Sequence, residues 1–282
     1  MCVEAFAAKE YTLLSPDGRL EVTIVAEPKL AYSVKCNGEQ VLAPSQIGLK
    51  IYEGAMLGEG VAVKRAKRTS VNEEIVTQFY FRDKIKDCYN ALRLDFAARY
   101  AVEFRAYDEG VAYRFVTNFK QDFILENEIS EFSFAKDYKG YFAYSNRTGT
   151  RKDNYFTSFE GAYQHVELSK IDSTRVSFSP AIVEVENYKV CILESDVEHY
   201  PGMFLSNRKG AKAVYGEFAP MPDKVVEGGY RKLQDVVESR KPYIAECKAA
   251  TKTPWRIVLV TDNANTLLDN DMVYRLASPS RL

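Results

Sequence analysis

An all-β fold, a large antiparallel sandwich, is what the 282-residue sequence predicts, on two observations. Apolar and polar residues alternate with period two through much of the chain, which sends successive side chains to opposite faces of a sheet. Short clusters of Gly, Asn, Asp and Pro interrupt the alternation, supplying the positive or fixed φ that hairpin turns require. Strand, turn and strand repeated in this way read as two packed antiparallel sheets.

In chain order, Leu20, Val22, Ile24 and Ala26 alternate with Glu21, Thr23, Val25 and Glu27. Tyr100, Val102, Phe104 and Ala106 alternate in the same way with Ala101, Glu103, Arg105 and Tyr107. Ser15-Pro16-Asp17-Gly18, Asn37-Gly38, Asp108-Glu109-Gly110 and Lys139-Gly140 are the expected turns between strands. Arg105 to Phe115 reads as a hairpin with basic and aromatic residues on both arms, for which cross-strand packing is sufficient reason. Pro220 to Arg240, with Met221-Pro222 and Gly228-Gly229, reads as a long loop. Helical signal is thin and concentrates in Asn263 to Leu276, where Leu267, Leu268, Met272, Val273 and Leu276 fall on one helical face. No repeat or interdomain linker divides the chain, and one domain over 1–262 accounts for nearly all of it.

With a net charge of −1, the chain lacks the electrostatic footprint of a nucleic-acid-binding protein. No apolar run approaches the roughly 18–20 residues of a membrane span. Five scattered cysteines without CxxC spacing suggest neither a zinc site nor a disulfide framework, and read as small buried hydrophobes. The N-terminal MCVEAFAAKEY is too short and acidic for a signal peptide, yet Ala5-Phe6-Ala7 has the small-x-small form of a cleavage site; both readings stay open.

Only His165 and His199 could serve a hydrolase triad, and neither has a nucleophile context such as Gly-x-Ser-x-Gly nearby. Gly58-Glu59-Gly60 lacks the third glycine and following helix of a phosphate loop and reads as a turn. Asn146-Arg147-Thr148 is a glycosylation sequon of the kind that arises by chance.

The stretch ILESDVEHYPGM, Ile192 to Met203, poses the sharpest question. Period two puts Val190, Ile192, Glu194, Asp196 and Glu198 on one face of a strand, with Glu194 where burial ends. A carboxylate half-removed from water needs hydrogen bonds, a cation or a metal. Residues i and i+2 on a strand lie about 6.5–7 Å apart, whereas oxygens sharing one Ca2+ lie within about 5 Å of each other. These three carboxylates therefore cannot all chelate one ion. A solvated acidic strand end and a site with one or two ligands both remain open.

The same stretch, extended to Leu205, resembles the I-x-E-A-D-L-E-D-Y-P-G-M-F-L signature in the N-terminal domain of glycoside hydrolase family 97. The hairpin FRAYDEGVAYRF, Ser158-Phe159-Glu160 with Tyr163, Tyr243-Ile244-Ala245, Thr253-Pro254-Trp255-Arg256 and Val273 to Ser280 are also similar to that family, in order and over essentially the whole chain.

That resemblance implies an antiparallel β-supersandwich of the galactose mutarotase-like kind, with minor helix near the C-terminus. It implies the N-terminal part of an exo-acting α-glycosidase, an α-glucosidase or α-galactosidase, exported to the periplasm or secreted. In that family the catalytic carboxylates lie on a (β/α)8 barrel, so the chain is expected to have no catalytic residue and to be inactive alone, with residues 263–282 a connector toward that barrel. Its partners would be the downstream barrel and an α-linked oligosaccharide, across an apolar, aromatic face that promotes self-association when uncovered. The motif match makes Glu194 one ligand of a Ca2+ completed by the barrel. Tyr200 and Met203 fall where substrate could be contacted, although a turn packed on the domain's own core fits them equally well. His199 stands where the family has Asp, so no carboxylate role carries over to it. The rival reading is a free-standing carbohydrate-binding or mutarotase-like module, for which mutarotation would need an acid/base pair such as His with Glu.

Overall fold

The computed structural model describes residues 9–60, 62–145, 153–156 and 160–279. The sequon at Asn146, most of the N-terminal stretch with Cys2, and Ser158, Phe159 and Ser280 of the matching segments lie outside the described residues.

Two antiparallel sheets face each other, as the alternation predicts. The ten-stranded sheet runs Glu10–Leu14, Leu20–Val25, Ala31–Cys36, Glu39–Ile51, Phe123–Ser133, Ala213–Phe218, Met203–Ser206 and Ser177–Phe178, with Met56–Leu57 and Ala245–Cys247 as side branches. The nine-stranded sheet runs Gln164–Glu167, Lys139–Phe142, Ala181–Val185, Tyr188–Ser195, Trp255–Thr261, Gly110–Thr117, Tyr100–Tyr107, Lys84–Phe96 and Val63–Val76. The alternating residues Leu20, Val22 and Ile24 meet Val102, Phe104 and Ala106 in one inter-sheet core. That burial is the main stabilising term of such a sandwich.

Asn37 and Gly38 both take positive φ, 49° and 82°, as a two-residue hairpin turn demands. Lys139-Gly140 is not the expected turn; it opens the strand Lys139–Phe142. Glycine is needed there for room, because a Cβ on Gly140 would lie 2.9 Å from the Ile182 carbonyl and 2.8 Å from the Phe142 ring.

The segment expected as a loop is a hairpin of Pro222–Gly228 and Gln234–Arg240, forming a two-stranded sheet of its own. Its cross-strand pairs Val225–Val237 and Val226–Val236 supply the apolar contact, and Gly229, at φ 68°, sits in the turn.

The C-terminal helix is two short helices, Asn265–Leu268 and Met272–Leu276. Between them, Arg82 on the loop 77–83 pairs with Asp269 and Asp271, and Asn270 Oδ1 accepts the Met272 amide at 2.9 Å. Met272 and Leu276 are buried with Trp255, Ile257 and Leu259, so this segment covers part of the nine-stranded sheet's outer face. The strand Trp255–Thr261 is thus buried on both faces, which explains its nearly unbroken apolar sequence. Among large apolar residues left exposed, Val76, Phe79 and Phe81 cluster at the tip of the long Val63–Val76/Lys84–Phe96 hairpin. No described helix is long and apolar enough to cross a membrane.

Candidate functional site

The three carboxylates do not share a face. The strand carrying Glu194 ends at Ser195, and Asp196 takes a positive φ of 63°, so the period-two reading stops there. Asp196 turns instead to the C-terminal segment, accepting the Ser278 amide at 2.8 Å, with Arg114 Nη1 3.6 Å away. Glu198 and His199 are exposed on the following turn.

Glu194 points between the sheets. It lies directly opposite Arg256 in the register of Tyr188–Ser195 and Trp255–Thr261. Arg256 Nη1 donates to its Oε2 at 2.5 Å, and the Met203 amide donates to its Oε1 at 2.7 Å. The same guanidinium reaches across to the other sheet, where Nε and Nη2 donate to Glu128 Oε1 and Oε2 at 2.7 and 2.8 Å. The Tyr200 hydroxyl also donates to Glu128, at 2.6 Å.

Burial grades along this network. The side chains of Arg256 and Glu128 are 0% and 1% exposed, whereas that of Glu194 is 13% exposed at the open rim. Burial pushes the Glu194 carboxyl above the usual carboxylate range, against the opposing pull of Arg256 and the Met203 amide. Burial works against the Arg256 cation, but Glu128 and Glu194 outweigh it and hold the guanidinium firmly charged. Burial, then the Glu128 charge, drives the Tyr200 hydroxyl pKa well up.

Two carboxylates thus share one guanidinium, leaving one negative charge uncompensated when both are ionised. The turn packs closely beside Glu194: a Cβ on Gly202 would stand 3.4 Å from Oε1. Glu194 therefore suits one ligand position of a hard cation such as Ca2+, which takes six to eight oxygens. It cannot hold such an ion unaided, and among the described residues no group of three His, Cys, Asp or Glu gathers to do so.

Tyr200 and Met203, expected near substrate, shape this rim. Met203 is 3% exposed, its side chain in the inter-sheet core and its amide on Glu194. Tyr200 is half-buried, its ring edge-on to Phe218. Sequence reasoning gave no role to Glu128 or Arg256. A lone Arg inside the apolar run TPWRIVLV was the available signal, since a buried charge demands a partner.

Comparison with known proteins places residues 13–279 on the family model described as glycosyl-hydrolase 97 N-terminal. A retaining alpha-galactosidase of Bacteroides thetaiotaomicron is 39% identical over 279 residues, covering 98% of this chain but 42% of its own length. A glycoside hydrolase family 97 enzyme from Pseudoalteromonas sp. strain K8, solved with acarbose, superposes with a TM-score of 0.78 at 19% identity, over 96% of this chain and 38% of that one. A beta-arabinopyranosidase structure superposes with a TM-score of 0.73 at 17% identity, over 90% of this chain and 40% of that one. The chain spans about two fifths of the length of these relatives.

Proposed function

The chain belongs to the glycosyl-hydrolase 97 N-terminal family, and from that premise we propose that it serves as the non-catalytic N-terminal part of an exo-acting α-glycosidase. The 39% identical relative favours an α-galactosidase over an α-glucosidase. In this reading the domain packs on a downstream (β/α)8 barrel in the periplasm or outside the cell, and Glu194 contributes one oxygen to a Ca2+ whose other ligands lie on the barrel.

The observation that carries the proposal is the Glu194 rim. Its carboxylate is fixed by Arg256 and the Met203 amide, shares that guanidinium with Glu128, and lies at the wetter end of the network, 13% exposed. Ca2+ there would supply electrostatic stabilisation to an adjoining sugar site. Glu128, Arg256 and Tyr200 would hold Glu194 in place, and Met203 would fix its Oε1 through the backbone. Tyr200 and Met203 then affect substrate through the shape of this edge.

Glycosidic cleavage in this manner needs two suitably placed carboxyl groups, so the chain alone should not hydrolyse aryl α-galactosides. The test is ion dependence. The 282-residue chain should show no rise in melting temperature at micromolar Ca2+, whereas joined to a family 97 barrel it should gain a strong rise that Glu194→Gln abolishes and Glu198→Gln does not. The opposite pattern would assign the wrong carboxylate. Calorimetric binding of a free monosaccharide by the chain alone would favour the sugar-binding module instead.

A further inference from the structure

On the outer face of the nine-stranded sheet, away from Glu194, Arg105 differs from its neighbours. Arg93 pairs with Asp95 and Glu103, Arg114 with Glu103 and Asp196, and Arg275 with Glu109. Arg105 has no carboxylate within 4.0 Å among the described residues. Its guanidinium lies over two rings, 4.4 Å from the centre of Tyr89 and 4.7 Å from that of Trp255, and its Nη1 approaches the Tyr107 hydroxyl at 3.4 Å. Stacking satisfies the faces of a guanidinium but not its five in-plane N–H donors, which match a carboxylate edge-on.

Those donors border two adjoining clefts of about 590 and 210 Å3 that share Tyr89, Arg105 and Arg114. Among the described residues six basic and three acidic side chains line the two together, and Asp95 and Glu109 offset Arg93 and Arg275 from behind, so that Arg105 is the arginine there without a close carboxylate. The rim of the larger cleft is formed by Tyr274 to Pro279, anchored by buried Leu276 and by the Ser278 amide on Asp196. Polypeptide continuing past residue 279 therefore starts at this rim, and the longer relatives carry such polypeptide.

We propose that the Arg105 cleft receives an Asp or Glu side chain from the polypeptide that follows this domain in the longer proteins, so that a stacked arginine locks the two parts together. The inference rests on the reading that the domain packs on a downstream partner, and names the surface and chemistry of that packing. An acidic occupant fits because it would accept from the in-plane N–H donors of Arg105, whose charge buried Asp87 feels only at longer range.

The test compares Arg105→Gln in two settings: the 282-residue chain, and that chain joined to the remainder of the Bacteroides alpha-galactosidase. In the chain alone the variant should lower the melting temperature only slightly, through the lost stacking on Tyr89 and Trp255, since no ion pair within 4.0 Å is removed. In the joined protein it should lower the melting temperature by roughly 3–10 °C, with the loss shrinking as salt is raised and partly restored by Arg105→Lys. Equal losses in both settings would reduce Arg105 to a structural stack and overturn the inference, as would no loss in the joined protein. Two independent transitions in the unaltered joined protein would overturn the packing reading itself, and the inference with it.

Discussion

Glu194 and Arg256 face each other across an antiparallel strand pair, with Oε2 and Nη1 2.5 Å apart, and the same guanidinium grips Glu128 on the opposite sheet. One cation therefore holds the two sheets together at the rim. Arg256→Met should destabilise the fold by about 3–5 kcal/mol, because it strands two half- or fully buried carboxylates. Arg256→Lys should rescue little, since one ammonium cannot reproduce three directed bonds to two partners. Glu194→Gln, at the wetter end, should cost about 1–2 kcal/mol. Urea unfolding of the three variants checks the order; equal costs for Arg256→Met and Glu194→Gln would contradict it.

The same network sets a pH dependence. Burial raises the folded-state pKa of Glu194 above its ordinary 4.5. A raised folded pKa means that the contribution of Glu194 to stability is full below the ordinary value and is lost as pH rises through the raised one. Gln cannot ionise. The stability difference between Glu194→Gln and the unaltered protein should therefore move in favour of the variant as pH climbs from 4.5 toward neutrality. A difference independent of pH over that window would argue against the shift.

How much of this was legible in the sequence depended on whether the cause was local. The strands at Leu20–Val25 and Tyr100–Tyr107 announce themselves, because in each one face is fully buried while polar residues on the other, such as Glu21, Thr23, Glu103 and Arg105, are only partly so. The ribbon Pro222–Arg240 hid because Val225-Val226 and Val236-Val237 break the alternation. Lys139-Gly140 imitated a turn because crowding, like positive φ, selects glycine. Glu194 stood out through its motif, but Glu128, which shares its arginine, lies 128 residues from Arg256 and becomes visible only once the sheets are stacked.

Gly140→Ala tests the crowding reading. Its Cβ would press on the Ile182 carbonyl, which belongs to the paired strand and cannot rotate away. A loss of about 1–3 kcal/mol is expected by chemical denaturation. A neutral or stabilising result would mean that the strand has slack.

The segment beyond residue 262 should act as part of the fold. Met272 is 0% exposed against Trp255, Ile257 and Leu259. Met272→Ala should cost about 2–5 kcal/mol by thermal or urea unfolding. A cost near zero would make the segment a loosely tethered connector.

Trp255 is the chain's single tryptophan, and its indole lies beneath the guanidinium groups of Arg114 and Arg105 at 4.2 and 4.7 Å. Its ring belongs to the outer-face cluster with Met272 and Leu276, while the inter-sheet core holds tyrosines and phenylalanines but no indole. The protein therefore carries an intrinsic fluorophore that views one side of one sheet. Tryptophan emission should shift to the red when the C-terminal helices lift away, while the near-ultraviolet dichroism of the core tyrosines is still native. Lag between the two signals in a stopped-flow trace would time the release of the outer layer from the sandwich beneath it.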